Sequence, residues 1–213
     1  MMTLYGYWRS SAAYRVRLAL AWKGLSATAI PIDLRSGEQS GAAYRAHNPQ
    51  GLVPLLVDDG ITLSQSLAIL EYLDEIRPDP PLLPADALGR ARVRAAALIV
   101  VADIHPINNP RIAGRLRSDF GADQPAIDSW ARHWMTLGFT ALEAFATDHG
   151  GRFVHGDALS IADLCLVPQL YNARRVGTAL AAYPRLLAAE ARVLAMPFAR
   201  AAHPDDQPDA SPA

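Results

Sequence analysis

Short apolar runs broken by polar turns fill the first third of the chain, and apolar stripes at helical spacing fill the rest. Residues 3–7 predict a strand, Arg9-Ser10-Ser11 a polar turn, and residues 12–23 a helix with Val16, Leu18, Ala19, Leu20 and Trp22 on its apolar side. Gly24 supplies the stop of that helix. Residues 27–33 predict a second strand, parallel to the first because a helix joins them. Residues 55–57 and 61–63 then read as a hairpin around Asp58-Asp59-Gly60, followed by a helix to Ile76. Prolines at 78, 80, 81 and 84 remove backbone donors and fix φ, so a domain boundary is placed there. Beyond it the pattern predicts helices over 88–118, 123–149, 160–176 and 183–196. Ser160, three residues before Asp163, opens the third of these with the spacing of a capping box. The expected organisation is an α/β domain over 1–80, an all-α domain over 88–202, and a disordered tail over 203–213, where prolines alternate with Asp and Ser.

Composition narrows the functional classes. A net charge of −1 argues against nucleic acid as the main partner. The single cysteine, Cys165, excludes an intrachain disulfide and a cysteine-based metal centre, and its apolar neighbours predict a buried, inert thiol. The longest apolar run, residues 95–102, is too short to cross a bilayer, and the N-terminus lacks the pattern of a signal peptide, so a cytoplasmic protein is expected. Glycine-rich phosphate loops, nucleophile elbows and helical histidine pairs of metal type are missing from the sequence. Among the 20 basic residues only Lys23 is a lysine. Arginine suits planar two-point recognition of carboxylates, although a single surface arginine more often reflects composition alone.

The polar turns of the first domain hold the remaining chemistry. Ser10 and Ser11 open a helix directly after a strand, where serine serves as an N-cap. The same helix end, with its unpaired N–H groups and positive dipole, stabilises an anion such as a thiolate. With no cysteine nearby, such a thiol comes from a ligand. Val53-Pro54 marks a strand start or presents a backbone edge to a ligand. Gln65-Ser66 opens the next helix, by capping or by receiving a carboxylate.

Three stretches carry a family resemblance: Arg9 through Leu20, Asn48-Pro49-Gln50-Gly51-Leu52-Val53-Pro54, and Gln65 through Leu73. They resemble the zeta class of glutathione transferases, and the Ser160 and Asp163 box extends the likeness into the second domain. Asp103 through Asn109 and Asn172-Ala173-Arg174-Arg175 are similar more narrowly to bacterial glutathione-dependent maleylpyruvate isomerases and their maleylacetoacetate-acting kin. The resemblance implies a thioredoxin-like domain plus an all-helical domain, a homodimer, glutathione as cofactor, and a small dicarboxylate substrate isomerised from cis to trans. It implies that Ser10 and Ser11 flank the glutathione sulfur, that Val53 beside a cis Pro54 holds the cysteinyl backbone, and that Gln65 and Ser66 take the γ-glutamyl carboxylate. His105 and Asn109 would complete the glutathione site, and Arg9, Arg111 and Arg174 or Arg175 would hold substrate carboxylates. For His105-Pro106 the alternative is a helix kink at the proline. Ala12 stands where the family pattern has cysteine or threonine, so no third polar side chain follows the serines. Two other functions fit the same resemblance: a general transferase for haloacids or small electrophiles, and a non-catalytic glutathione-binding protein.

Overall fold

The computed structural model describes residues 1–211. The chain forms two compact units, one of Met1–Leu82 with the segment from Leu194 onward, the other of Leu83–Val193.

The first unit is built on a four-stranded sheet. Strand β1 (Met2–Gly6) leads through a turn into helix α1 (Ser11–Trp22) and the edge strand β2 (Ala27–Pro31), which pairs parallel to β1. Pro31 closes β2 at the sheet edge, where a missing N–H costs no ladder bond. The short helix α2 (Ala42–Arg45) follows, then the hairpin of β3 (Leu55–Asp58) and β4 (Ile61–Ser64), giving the order β2-β1-β3-β4. Asp59 and Gly60 both have positive φ, 45° and 86°, as a two-residue hairpin turn requires. Helix α3 (Ser66–Ile76) buries Ile69, Leu70 and Leu73, and Leu4, Leu56, Val16 and Leu18 complete the core.

Lys23 locks the far end of this unit. Its ammonium has no exposed surface and donates to Asp74 Oδ1 at 2.5 Å, to the Arg77 carbonyl at 2.7 Å and to the Pro80 carbonyl at 2.6 Å. Three acceptors for three N–H groups are what a buried ammonium needs. Asp74 Oδ1 also accepts from Leu82 N at 2.8 Å, so one carboxylate joins α1, α3 and the proline-rich stretch.

The second unit is helical: α4 (Ala87–Leu98), α5 (Pro110–Phe120), α6 (Gln124–His149), α7 (Ile161–Arg175) and α8 (Pro184–Leu194). Helix α7 is buried along most of its length and forms the centre, with Met135, Phe139 and Leu142 of α6 and Val93, Ala96 and Val100 also in the core. Cys165 is fully buried within α7. Asp163 has no exposed surface and accepts from Ser160 N, Ser160 Oγ and Val154 N, each at 2.9 Å. The capping box thus also anchors the loop before α7.

Two expectations need correction. The helix over 88–118 is broken. After α4 the chain runs as a π-helix over Ile99–Ile104, then a 3-10 turn over Pro106–Asn108, before α5. Pro106 and Pro110 have no N–H to offer, and the chain compensates locally. His105 N reaches back five residues to the Val100 carbonyl at 2.9 Å, and Asn108 Nδ2 takes the Ile104 carbonyl at 2.8 Å. Gly138 of α6 makes room for this wide turn, since a Cβ there would lie 2.3 Å from Ile104 Cδ1 and Cγ1. Gly138→Ala is therefore expected to destabilise the protein. Overpacking a buried isoleucine costs about 1–3 kcal/mol, more than the ~1 kcal/mol gained in helix propensity. A thermal melt checks this, and a Tm at or above wild type would show that Ile104 yields freely.

The second correction concerns the C-terminal segment. Helix α9 (Pro197–Ala202) belongs to the first unit and packs on α1, with the Trp22 and Phe198 rings 5.2 Å apart. Residues 203–211, expected to be disordered, hold a 3-10 turn over Pro204–Asp206, and Gln207 Nε2 donates to the carbonyls of Ala201 and His203. A segment poor in apolar residues cannot make a core of its own, but it orders on the polar groups of another element, which composition does not reveal. Pro212 and Ala213 of the expected tail lie outside the described residues.

Candidate active site

Strand register brings three polar stretches of the first unit to one sheet end. Tyr5 pairs with Leu55 and Leu55 with Ser64, so the exit of β1, the entrance of β3 and the exit of β4 lie in one row. The turn holding Arg9 and Ser10 follows the first, Val53-Pro54 precedes the second, and Gln65-Ser66 follows the third.

The turn at residues 7–10 is closed by Ser10 N donating to the Tyr7 carbonyl at 2.9 Å. Ser10 is the N-cap of α1: its Oγ accepts from Ala13 N at 3.2 Å. Capping uses a lone pair and leaves the hydroxyl proton, so the structural and chemical roles of this serine are compatible. Ser11 is the first helical residue and is buried, as is Ala12. Arg9 lies with its guanidinium carbon 5.4 Å from the centre of the Trp8 ring, a cation–π contact that fixes a positive charge at the edge of the turn.

The second and third stretches are also held from beneath. The Val53-Pro54 peptide is cis. Ahead of it, the Leu52 carbonyl accepts from Tyr44 Oη at 2.6 Å and from Asn48 Nδ2 at 2.7 Å. Burial raises the Tyr44 pKa to about 12, which keeps that hydroxyl a donor. Gln65 has φ 68°, a left-handed conformation uncommon for a residue with a side chain and characteristic of functional loops. Its Nε2 donates to Gln50 Oε1 at 3.0 Å. While α1, α4, α5 and α6 are each capped by their own Ser10, Asp86, Asn109 and Asp123, no side chain caps α3. Its first N–H groups are thus placed to receive an anionic group.

Sequence reasoning passed over two residues here. Arg15, with 1% of its surface exposed, donates Nη1 to Ser66 Oγ at 3.1 Å and ties α1 to the start of α3. The usable signal was its spacing, one helical turn after Ser11 among apolar neighbours. Gln50, within the Asn48 to Pro54 stretch, accepts from Gln65.

In the second unit the predicted residues fall at two places. His105 sits between the π-helix and the 3-10 turn, at the break that the kink reading expects before Pro106. Asn109 caps α5, its Oδ1 accepting from Ile112 N at 3.2 Å, and Arg111 is exposed in the first turn of that helix. At the end of α7, Arg174 presents both Nη atoms to the carboxylate of the buried Glu190 of α8, with Nη1 to Oε1 at 2.6 Å. That two-point pair occupies the fork of Arg174 and holds its charge. Arg175 is exposed, 3.4 Å from Asn172 Oδ1.

Comparison with known proteins gives the family. The family described as "Glutathione S-transferase, N-terminal domain" matches residues 9–76, and "Glutathione S-transferase, C-terminal domain" matches residues 126–198. The maleylacetoacetate isomerase of Pseudomonas aeruginosa is 47% identical over 211 residues, covering 98% of each chain. A holo structure of maleylpyruvate isomerase, described as a bacterial zeta-class glutathione S-transferase, superposes with a TM-score of 0.95 at 45% identity, covering 98% of this chain and 100% of that one. The maleylacetoacetate isomerase of Anaeromyxobacter dehalogenans, solved with dicarboxyethyl glutathione and citrate in its active site, gives a TM-score of 0.88 at 48% identity, covering 99% of each. Two matched domains and near half-identity along the full length leave one conclusion: the chain belongs to the glutathione S-transferase family, with the zeta-class maleylacetoacetate and maleylpyruvate isomerases.

Proposed function

We propose that the chain is a glutathione-dependent cis–trans isomerase of maleylpyruvate or maleylacetoacetate. One observation carries the reading: a serine hydroxyl that accepts a cap bond stands at a helix N-terminus beside an arginine held in place on an indole. That is a site for a thiolate and a carboxylate side by side.

When bound, glutathione supplies the thiolate whose addition makes the cis double bond a rotatable single bond and whose loss restores it as trans. Ser10 donates its hydroxyl proton to that sulfur, and the N-terminus of α1, where Ser11 lies, adds its dipole. With no polar side chain at position 12, Ser10 and the helix end carry this stabilisation alone. Val53 holds the cysteinyl backbone next to Pro54. Gln65, Ser66 and the uncapped start of α3 receive the γ-glutamyl carboxylate, with Arg15 fixing the Ser66 hydroxyl. Arg9 grips a substrate carboxylate and, with the same charge, favours the electron density displaced onto the neighbouring carbonyl oxygen. In the helical unit His105 and Asn109 are assigned to glutathione, and Arg111 with Arg174 or Arg175 to substrate carboxylate. Arg174 pairs with Glu190 and Arg175 lies 3.4 Å from Asn172 Oδ1, and the two are put forward together. A homodimer in the cytoplasm completes the reading. Among the described residues no helix is long and apolar enough to cross a membrane.

The deciding assay offers each maleyl acid with and without glutathione. Turnover that needs glutathione and leaves none of it consumed supports the isomerase; accumulating conjugate without isomerisation overturns it in favour of a transferase. Arg9→Ala is expected to raise the KM for the acid about tenfold or more while leaving glutathione affinity nearly unchanged, since a two-point charge contact is lost on one ligand only. Weakened glutathione binding would remove Arg9 from this role.

A further inference from the structure

The turn that carries Arg9 and Ser10 is not held by its own helix alone. In a turn closed between the Tyr7 carbonyl and Ser10 N, the N–H and the C=O of the central residue Trp8 are left over. Both are taken up through the C-terminal segment. Trp8 N donates to Asp209 Oδ2 at 3.0 Å. The Trp8 carbonyl accepts from Arg17 Nη2 at 2.8 Å, and Arg17 Nε donates in turn to the Ala202 carbonyl at 3.0 Å. The segment is braced to deliver this carboxylate. Gln207 Nε2 spans the Ala201 and His203 carbonyls, His203 meets the Tyr14 ring edge-on at 6.1 Å, and Ser211 Oγ accepts from Arg35 Nη2 at 2.5 Å. Trp8 is 6% exposed and carries the Arg9 guanidinium on its ring, so a shift of the Trp8 peptide moves Arg9 and the entry into Ser10 together.

We infer that Asp209 is a positioning residue for catalysis: its carboxylate, carried 201 residues along the chain back to the Trp8 N–H, fixes the turn and so aims the Arg9 guanidinium and the Ser10 hydroxyl. The inference rests on the function proposed for that turn. A charge-assisted hydrogen bond to a backbone N–H is among the stronger single contacts available, and among the described residues Asp209 is the acceptor that Trp8 N–H meets. Val53, Gln65 and Ser66 stand on other elements, so glutathione affinity is largely insulated from the loss of this contact, whereas the alignment of sulfur with the acid is not.

The test compares Asp209→Ala with Asp209→Asn in the full chain. The amide oxygen of asparagine still accepts from Trp8 N–H; the methyl of alanine does not. Expected for Asp209→Ala is a fall in kcat/KM for the maleyl acid of about tenfold, with glutathione affinity within about twofold of wild type and Asp209→Asn within about threefold of wild-type turnover. Amide hydrogen exchange supplies a readout independent of turnover: the peptide containing Trp8 exchanges faster in Asp209→Ala but not in Asp209→Asn, with β3 unchanged. Wild-type exchange at Trp8 in Asp209→Ala overturns the inference, as does an Asp209→Asn variant as slow as Asp209→Ala. If the wild-type chain turns over neither maleyl acid, the proposed function fails, and the exchange pattern alone still decides whether Asp209 holds the turn.

Discussion

Ser10→Ala is expected to lower kcat for the maleyl acid about a hundredfold and to return the pKa of bound glutathione toward the ~8.5 of an ordinary thiol. The size follows from the site: one preorganised donor to a developing or resident anion is removed, and position 12 offers no substitute. Lowering a thiol pKa by about two units takes the thiolate fraction at pH 7 from a few per cent to most of the population, so the loss falls on the reactive species itself. Ser10 also caps α1, and losing that cap costs about 1 kcal/mol of stability. Ser10→Gly separates the two effects, because glycine replaces a serine cap at a cost of only a few tenths of a kcal/mol and still has no hydroxyl. Both variants should be equally slow while differing in Tm. Titrating the thiolate absorbance of the binary complex reads the pKa directly; a value unmoved in Ser10→Ala would assign the thiolate to the helix end and Ser11.

Asp163→Ala is the largest expected loss of stability, about 3–5 kcal/mol out of the 5–15 kcal/mol available to a typical domain. The substitution strands the N–H groups of Val154 and Ser160 in a site without solvent access, and empties the volume of the carboxylate at the head of the central helix. A denaturant melt reads the loss, and a decrease below about 1 kcal/mol would show that the loop before α7 finds other acceptors. The same residue predicts a pH dependence. Burial, opposed by hydrogen bonds from Val154, from the backbone and side chain of Ser160 and from its own backbone N–H, raises the Asp163 pKa to about 6 from 3.8. A carboxyl whose pKa is higher in the folded than in the unfolded state stabilises the fold below about pH 4 and loses that contribution as the pH rises through about 6. The Tm gap between wild type and Asp163→Asn is therefore expected to narrow between pH 4 and pH 6.

Much of the fold was legible from local pattern. The parallel β1 and β2 pair, the hairpin at Asp59-Gly60, the helices α6, α7 and α8 and the Ser160 box all follow from spacing and turn chemistry that act over a few residues. What escaped was tertiary. No periodicity announces that residues 203–211 lie along the turn before Ser10, because the donor that Asp209 meets is a backbone N–H 201 residues away, at Trp8. Arg174 and Arg175 are indistinguishable as letters, and Glu190 on the next helix separates them. The helix break before α5 was half visible in Pro106 and Pro110; the π turn that absorbs it depends on Gly138 in another helix. At the candidate site, the three stretches of the first unit could be read as motifs, but their meeting at one sheet end comes from the Tyr5, Leu55 and Ser64 register.

The burial of Lys23 has a practical side. It is the only lysine in the chain, and its ammonium is sealed among Asp74, Arg77 and Pro80. Acylating reagents and amine-directed cross-linkers find no lysine on the folded surface, so their reaction with the folded protein falls on the exposed Met1 amine, which pairs with Asp59. The same seclusion turns the residue into a clock: the rate at which Lys23 becomes modified measures how often the joint between α1, α3 and the proline-rich stretch comes apart.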